Sequence, residues 1–522
     1  MQLTGIDTSV LNPQVIEYIT NLETQIAILK EQINILTLRR FGRSSEQYDI
    51  KQQPLFPSEA EQENLPKDCN KEDKEKQAIK SYSRNKAGRK PLNPNLRREV
   101  DTKDLSAQEK ICSCCGHELI KIGEEKSERL EYVPAEIYVK LTIRPKYICG
   151  NCEGKENEDS PAVKIKPPEP QIIPRSIAGA SLLSNIMIQK FQDHVPFHRQ
   201  ETIFKRIGVE ISKQDMSNWQ QHIYRFLAPL FLLLGKVLIS SNIIRMDETT
   251  SQVMGCEEKS DTKKSYIWLM RGGPPEIPVV IYAYRPTREA KNVIELLKGF
   301  SGYLQTDGYE GYDAAVKELC GIIHVGCFAH SRRKFFEAAK AVKTPQSAEV
   351  GLSYIRKLYE IERTLREMNL DDNKFLEERK EKAGVILSEF HEWLNKRNNE
   401  VLPTSALGKA VAYTLRQWDK LIKYLENPYL TPDNNIAENC IRPYVVGRKN
   451  YMFHKSPEGA KSACGMYTLI ETAKQNGVDP FRYLDELFKK APYLSSPKEW
   501  EELLPWNIFK SKTIDHIKYT TD

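Results

Sequence analysis

The chain has 522 residues, of which 40% are hydrophobic and 28% are charged. At roughly 100 to 200 residues per domain, this length predicts three or four folded units. The composition excludes a chain that is disordered throughout. The net charge of +6 is too small over this length to identify a polyanionic partner. Only clustering of the positive charge could indicate such a partner.

The sequence gives no sign of a membrane or secreted protein. Its longest apolar run, residues 226–235, has ten residues, whereas a membrane helix needs about 20. Residues 1–10 lack the basic start and apolar block of a secretory signal. Eleven cysteines is an odd number, and most are unevenly spread. We therefore expect a reduced cytoplasmic protein with no membrane partner.

The N-terminal segment, residues 1–42, carries a heptad pattern. Its apolar positions are Val15, Ile19, Leu22, Ile26, Leu29, Ile33 and Leu36. Alternating steps of four and three residues are typical of a coiled coil, so the pattern predicts a homo-oligomer held together through residues 15–36. The alternative is an amphipathic helix that packs on its own domain.

Residues 43–100 are predicted to be a linker, because they have too few large apolar side chains to offset the entropy of the chain. Within it, residues 80–98 contain seven Lys or Arg, Arg89 and Lys90 among them, and no acidic residue. The stretch favours an extended basic arm on a DNA backbone. A solvated charge run is the alternative.

Residues 101–165 contain two C-x-x-C knuckles with 33 residues between them. The four cysteines are Cys112, Cys115, Cys149 and Cys152. Four thiolates close a tetrahedral site, so the knuckles predict one structural Zn²⁺. Cys114 and His117 leave the ligand set open, and a redox dithiol is the alternative. Alternating apolar residues at 137–143 predict strands between the knuckles.

Residues 166–239 are predicted to be helical, with helices over 181–190, 197–206 and 213–222. Ser212 is a possible N-cap of the third. Two short helices joined by a turn with Gly208 suit a helix-turn-helix DNA reader. The side chains predicted to face DNA are Lys213, Gln214, Ser217 and Asn218. A helical hairpin that binds nothing is the alternative.

The next region places two aspartates at predicted strand ends. Residues 243–246 predict a strand ending at Asp247, followed by strands over 266–270 and 278–282. A helix over 289–297 and a strand over 303–306, ending at Asp307, come next. If the fourth strand lies beside the first, the two carboxylates face one another.

This order of elements is the one that a ribonuclease-H-like sheet uses to hold two divalent ions with a third carboxylate. Glu438 is the candidate, on a helix that Asp433 or Asn434 could cap. Each carboxylate taken alone would more often be a surface or capping residue, but the three together favour a metal site.

Several segments now resemble the DDE transposases of the insertion sequence 66 family. They are Met-Asp-Glu-Thr (246–249), Gln-Thr-Asp-Gly-Tyr-Glu-Gly-Tyr (305–312), Cys-Phe-Ala-His-Ser-Arg-Arg-Lys-Phe (327–335), residues 433–443 and Gly-Arg-Lys-Asn (447–450). Residues 40–46, 88–92 and 503–507 resemble further stretches of that family. The resemblance covers most of the chain.

The resemblance implies that Asp247, Asp307 and Glu438 are the catalytic triad. Two Mg²⁺ (or Mn²⁺) ions per site would be expected: one, between the two aspartates, activates water and later a DNA 3′-hydroxyl. The other, between Asp247 and Glu438, stabilises the leaving oxygen. The expected partners are the element's terminal inverted repeats and target DNA, with possible accessory proteins of the same element, and the expected location is the cytoplasm, at the nucleoid.

The resemblance also implies roles for residues around the third acid. The 130 residues between Asp307 and Glu438 suggest an inserted helical subdomain. Cys327 and His330 resemble a Cys-x-x-His pair of several DDE families; a structural pair is favoured, and a metal site with His324 is the alternative. Three basic residues are placed to grip the DNA end, or form a solvated helix face: Arg442, Arg448 and Lys449.

The predicted fold is therefore a multidomain α+β chain with a ribonuclease-H-like mixed α/β catalytic domain. That domain spans residues 240–490, with a helical insertion at about 344–430 and a C-terminal tail at 491–522. It follows the coiled coil, linker, zinc-binding and helix-turn-helix-like regions. Two other functions stay open: a zinc-containing DNA-binding regulator with an inactive sheet, and a nuclease or Holliday-type resolvase on the same fold.

Overall fold

The computed structural model describes residues 12–41, 136–148, 163–256, 260, 264–341 and 346–509. The four knuckle cysteines and the basic arm with Arg89 and Lys90 lie outside these residues. The chain divides into two compact units: residues 61–168 form one, and residues 1–60 with 169–522 form the other.

The smaller unit contains a two-stranded antiparallel sheet of β1 (Lys146–Ile148) and β2 (Val163–Ile165), with Tyr147 opposite Lys164. The prediction of strands between the knuckles is confirmed by β1 but not at residues 137–143. The backbone of residues 136–145 is irregular, and Tyr138 and Val139 are exposed. The alternation failed as a signal because a strand needs a paired neighbour, and no described strand pairs with this stretch.

The larger unit combines one mixed sheet with many helices. Its strands are β3 (Ile243–Val253), β4 (Ser265–Gly272), β5 (Val279–Arg285), β6 (Gly302–Gln305), β7 (Ile322–Val325) and β8 (Phe453–His454). Its helices before the sheet are α1 (Pro13–Phe41), α2 (Ala180–Phe191), α3 (Phe197–Arg206), α4 (Lys213–Phe226) and α5 (Ala228–Ile239). Between and after the strands come α6 (Ala290–Leu296), α7 (Glu310–Glu318), α8 (Phe328–Ala341), α9 (Gln346–Glu367), α10 (Asp372–Glu400), α11 (Ala406–Arg416), α12 (Trp418–Leu421), α13 (Asn435–Tyr451), α14 (Pro457–Gln475) and α15 (Pro480–Lys490).

The sheet has the strand order β5-β4-β3-β6-β7, and β8 pairs with the far end of β3. Strands β3, β4 and β5 pair with one another antiparallel, whereas β6 runs parallel to both β3 and β7. Helices α6 and α7 make the crossovers that parallel strands require. The fourth predicted strand does lie beside the first.

Local sequence explains the centre of this sheet. The apolar run at the start of β3 is buried, as expected for a strand covered on both faces. Gly302 opens β6 with φ +139°, and a Cβ there would collide with the carbonyl oxygen of Asn242, just before β3. Only glycine allows β6 to approach β3 this closely.

Two hydrophobic cores lie on the sheet. The first joins β3, β4 and β5 to α2 to α5 and α13 to α15, and the second joins β7 to α8 to α11. Residues 491–509, within the segment predicted as a C-terminal tail, pack into the first core through the buried Leu503, Leu504 and Ile508. They therefore belong to the folded unit.

The helices predicted over 181–190, 197–206 and 213–222 correspond to α2, α3 and α4. The Ser212 Oγ accepts a hydrogen bond of 3.0 Å from the Asp215 amide, which confirms the predicted N-cap. Within the described residues no single helix is long and apolar enough to cross a membrane; α4 and α5 reach that threshold only as a pair bent by 58°.

The predicted heptad segment is one long helix, α1. Its seam is exposed to solvent, with Leu29 at 56% and Ile33 at 60%, while the polar side chains of Glu31 and Asn34 contact α11 and α8. Glu31 Oε1 accepts from the Ala406 amide (3.1 Å), and Asn34 Nδ2 donates to the Ala341 carbonyl (3.4 Å). The heptad residues are thus not the face that α1 presents to its own chain.

Candidate active site

Asp247 and Asp307 come from adjacent parallel strands. Asp247 lies within β3, opposite Leu269 of β4, and Asp307 follows β6 by two residues. The prediction that the first strand ends at Asp247 is wrong, because β3 continues to Val253. Pairing with β4 and β8 keeps its polar second half in the sheet.

Glu438 lies in the first turn of α13, and three hydrogen bonds fix the segment before it onto these two strands. Arg245 of β3 donates to the Tyr429 carbonyl (2.5 Å), and Gln305 of β6 donates to the Thr431 carbonyl (2.6 Å). Asn434 Nδ2 donates to the Met246 carbonyl (2.8 Å), one residue before Asp247. The helix that carries the third acid is thereby anchored to the strands that carry the first two.

Asn434 and Asp433 act differently from the predicted caps. Asn434 occupies the N-cap position of α13, but its side chain makes no capping bond and reaches β3 instead. Asp433 Oδ1 accepts from the Asn435 amide (3.1 Å) in a local turn. The side-chain amide of Asn434 thus positions the helix against β3 instead of capping it.

Arg245 was missed in the sequence, although a basic residue within an apolar strand, Ile-Ile-Arg-Met, was a usable signal. Its guanidinium is buried and also donates to Gln305 Oε1 (3.1 Å), its partner across the two strands. Burial lowers the pKa of Arg245 to about 9. The buried Arg245 guanidinium therefore joins β6 to the segment that precedes Glu438, through its hydrogen bonds to Gln305 and Tyr429.

The three acids interact electrostatically. Burial raises the pKa of Asp247 to about 8, and the charges of Glu248, Glu438 and Asp307 add to this shift. The Glu438 Oε1 atom is buried and has no hydrogen-bond partner among the described residues. Neighbouring carboxylates that raise the pKa of Asp247 favour a bound cation, which restores the ionised form of Asp247.

Glu248, the neighbour of Asp247, is neutralised within the protein. Arg288 donates to its Oε1 with both Nε (2.8 Å) and Nη2, and Tyr312 donates to its Oε2 (2.5 Å). Its pKa is nevertheless raised, chiefly by burial and by the charge of Asp307. With an arginine and a tyrosine on its two oxygens, Glu248 supports the site rather than offering a free ligand.

Cys327 and His330 lie at the start of α8, against α13. Cys327 Sγ accepts from the Asn434 amide (3.2 Å), and the Phe328 amide donates to the Pro432 carbonyl (2.9 Å). Burial lowers the pKa of His330, against the opposing charges of Glu438 and Asp307. One ligand atom each of Cys327, His330 and Glu438 lies within 4.8 Å of the others.

His324 is committed to other partners. Its Nε2 is 2.8 Å from Thr306 Oγ1, and its Nδ1 is 2.8 Å from Asp313 Oδ1. Although burial opposes it, the hydrogen bonds of His324 and Lys420 lower the pKa of Asp313 to about 2. The group of potential metal ligands among the described residues, Cys327, His330 and Glu438, does not include His324.

The helices of the insertion support the approach to Glu438. Arg379 of α10 is buried, bonds to Glu362 Oε1 of α9 (2.7 Å) and donates to four backbone carbonyls. These are the carbonyls of Tyr424, Asn427, Pro428 and Leu430. Tyr413 of α11 packs against Gly308, so closely that a Cβ there would overlap its ring. The insertion therefore touches the chain next to both Asp307 and the third acid.

The side chains predicted to face DNA occupy two places. On α4, Lys213, Gln214 and Asn218 are exposed and Ser217 is half-buried. On α13, Arg442 and Lys449 are exposed, while Arg448 donates to the hydroxyls of two β3 residues, Thr249 (3.1 Å) and Thr250 (3.2 Å). Arg448 is thus fixed beside the strand of Asp247.

Comparison with protein families defines the class of this chain as transposase. The profile described as "Transposase IS66 family" matches residues 175–462, and "IS66 C-terminal element" matches 468–506. The "zinc-finger binding domain of transposase IS66" matches 109–153, and "Transposase C of IS166 homeodomain" matches 28–100. The chain belongs to the IS66 transposase family.

Its relatives include three uncharacterized proteins of Sinorhizobium fredii (strain NBRC 101917 / NGR234). Protein y4jD is 30% identical over 77% of this chain and 79% of its own length. Protein y4hP is 27% identical over 94% of this chain and 88% of its own length. Protein y4qI is 31% identical over 76% of this chain and 73% of its own length. The similarity thus extends over most of the chain.

Proposed function

We propose that this chain is a DDE transposase of an insertion sequence, which binds the element's ends and catalyses Mg²⁺-dependent DNA cleavage and strand transfer. The observation that carries the proposal is that three acidic residues from three elements lie close together. Asp247 and Asp307 come from adjacent parallel strands, and Glu438 is close enough to raise the pKa of Asp247. We take these three residues as the catalytic triad.

The strand order supports a ribonuclease-H-like sheet. Three antiparallel strands are followed by two parallel ones, added on the other side of β3. This arrangement puts the aspartate strands side by side at the centre of the sheet. On this proposal α9 to α12 form the helical insertion of the catalytic domain.

The carboxylates suit two Mg²⁺ (or Mn²⁺) ions, because hard cations prefer oxygen ligands and the Glu438 oxygen is buried and unpaired among the described residues. Asp247 and Asp307 would hold one ion, and Asp247 and Glu438 the other. When bound, such ions activate an attacking hydroxyl and stabilise the leaving oxygen of phosphoryl transfer.

The chain's own residues would position the acids and grip DNA. Arg245, Gln305 and Asn434 hold the third acid against the aspartate strands. Arg288 and Tyr312 donate hydrogen bonds to the Glu248 carboxylate, so that this carboxylate binds protein donors and not an ion. Arg442 and Lys449 are exposed one to three turns after Glu438, where they could contact DNA phosphates.

The N-terminal regions would bind DNA independently of the sheet. The zinc module, the basic arm with Arg89 and Lys90, and the exposed face of α4 are the proposed readers. The terminal inverted repeats and the target DNA are the proposed partners, and accessory proteins of the same element remain candidates. Such a protein would act in the cytoplasm, at the nucleoid.

One structural zinc ion should be bound by the two knuckles. Changing Cys112 or Cys149 to Ser should release one ion per chain, because a structural site couples metal binding to local folding. Elemental analysis of freshly purified protein measures this, with Cys69→Ser, outside the knuckles, as the control. An unchanged zinc content in both knuckle variants would contradict the assignment.

The exposed seam of α1 should form a coiled coil between copies of the chain. Leu22→Pro and Leu29→Pro should each lower the oligomeric state, because proline in a helix interior costs about 3 kcal/mol. Light scattering measures the mass, and Gln25→Ala, on an exposed position off the seam, should leave it unchanged. The same mass for the proline variants and the parent would refute the coiled coil.

Joining of a labelled DNA end to a target in Mg²⁺ tests the proposed function. A transposase should both cut at the element's end and join the 3′-hydroxyl to target DNA. A regulator with an inactive sheet should bind the DNA without cutting it, and a nuclease should cut without joining. Either of these two results would replace the proposal.

A further inference from the structure

A second group of potential metal ligands includes Glu438, the third acid. Cys327 precedes α8, His330 lies in the first turn of α8, and Glu438 lies in the first turn of α13. One ligand atom from each is within 4.8 Å of the other two. The two helix starts are held together by the Phe328–Pro432 backbone hydrogen bond and by the Asn434 amide on the Cys327 sulfur.

Two of these ligands have buried atoms without a partner. His330 Nδ1 and Glu438 Oε1 are both buried and find no hydrogen-bond partner in the described part of the chain. Leaving a buried polar atom unpaired costs about 1–3 kcal/mol. Two such atoms in one small cluster are suited to bind the same cation.

The ligand set differs in chemistry from the pair of aspartates. Sulfur, imidazole nitrogen and carboxylate oxygen together are typical of zinc and similar transition metals, whereas Mg²⁺ prefers oxygen ligands. The backbone amide of Asn434 donates to the Cys327 sulfur (3.2 Å) and holds it beside the first turn of α13. Burial raises the pKa of the Cys327 thiol, so the thiolate would form together with metal binding.

We propose that Cys327, His330 and Glu438 bind one zinc-class ion, separate from the knuckle zinc, with the fourth position left to water. Zn–S bonds of about 2.3 Å and Zn–N bonds of about 2.0 Å place tetrahedral ligands about 3.5 Å apart. The cluster reaches this spacing when its side chains close by about an ångström. His330 and Glu438 are half-buried, so the ion can enter from their side.

The ion would regulate the chemistry proposed above, and this consequence rests on the proposed function. Glu438 is shared between the zinc cluster and the acid triad. Zinc on Cys327 and His330 would therefore withdraw Glu438 from Mg²⁺ and inhibit the enzyme. The affinity of this site for zinc would set the concentration at which transposition stops.

The zinc content of the full-length protein tests the site without any activity measurement. The protein is equilibrated with zinc chloride in a weak chelator, separated from free metal and analysed for zinc. Cys327→Ser, His330→Gln and Glu438→Gln should each contain one zinc fewer than the parent. Losing a ligand should weaken binding by at least about a hundredfold, since loss of an outer partner alone costs 10–100-fold.

Matched variants give the controls. Cys320→Ser and His198→Gln change exposed residues of the same types and should keep the parent's zinc content. Asp247→Asn should also keep it, because Asp247 belongs to the acid triad and not to the zinc cluster. Circular dichroism checks folding, and if the buried Cys327→Ser variant fails to fold, the half-buried His330→Gln variant decides.

A parental zinc content in folded His330→Gln would overturn the proposal. In the joining assay, zinc at ten times its dissociation constant should slow the parent about tenfold by occupancy, and His330→Gln should resist it. Equal inhibition of both would overturn the regulatory role. If no variant joins DNA under any condition, the proposed function fails, while the zinc contents still decide whether the site exists.

Discussion

Asp247→Asn, Asp307→Asn and Glu438→Gln should each reduce cleavage and strand transfer by about a thousandfold or more. Each change keeps the size of the side chain and removes one negative charge from the cluster. Metal ions contribute several kcal/mol to phosphoryl transfer, and about 4 kcal/mol corresponds to a thousandfold in rate. Joining of a labelled DNA end in Mg²⁺ measures the loss.

Binding to the element's ends should survive these three changes, because the proposed DNA readers are separate from the sheet. Glu458→Gln is the matched control: Glu458 is exposed on α14 and paired with Lys461, so its loss should leave the rate within about twofold. A variant that folds, binds DNA and joins strands at the parental rate would exclude its residue as a required ligand. For Glu438, the buried Glu471 would then be the next acid to test.

Arg379→Met should destabilise α9 and α10 by about 3–5 kcal/mol. The buried Glu362 would keep only the partly exposed Arg366 as a partner, and the carbonyls of Tyr424 and Asn427 would lose the Arg379 donor. Arg379 and Glu362 are both almost fully buried, and the arginine also holds four carbonyls of residues 424–430. Hydrogen exchange of the insertion measures the local loss of stability. Strand transfer should fall as well, because this segment leads directly to Glu438.

Arg363→Met is the control for this prediction. Arg363 is exposed on α9, next to Glu362, and its loss should change stability by less than about 0.5 kcal/mol. Adding Glu362→Leu to Arg379→Met should restore part of the stability, because a buried ion pair can be replaced by apolar side chains at little cost. Equal protection of the insertion in Arg379→Met and Arg363→Met would refute the role of the pair.

The sequence predicted the strands before Asp247 and Asp307 well. Residues 243–246 are mostly apolar, which is a local signal for a buried strand, whereas the strand before Asp307 is half polar, Gly-Tyr-Leu-Gln. The second half of β3, Glu248 to Val253, was missed since it is polar, and only pairing with β4 and β8 makes it a strand. Residues 137–143 are the opposite case: their pattern suits a strand, but no described strand pairs with them, and the strand between the knuckles, β1, lies at Lys146–Ile148.

The assembly of the site was harder to predict than its residues. The Arg245–Tyr429 and Gln305–Thr431 contacts join residues 184 and 126 positions apart. No periodicity connects residues at such distances. Glu438 could be chosen as the third acid from its place on a predicted helix, and the resemblance to a family supported that choice. The buried Arg379 that supports its approach could be assigned only from the fold.

The long insertion also sets the order in which a ribosome delivers the three acids. Glu438 leaves the ribosome 131 residues after Asp307 (438 − 307), which takes roughly 7 to 26 seconds at about 5–20 residues per second. During that interval the nascent chain has both aspartate strands and no third ligand. On the proposed function, a triad made in this order could not cut the genome before residue 438 has been synthesised.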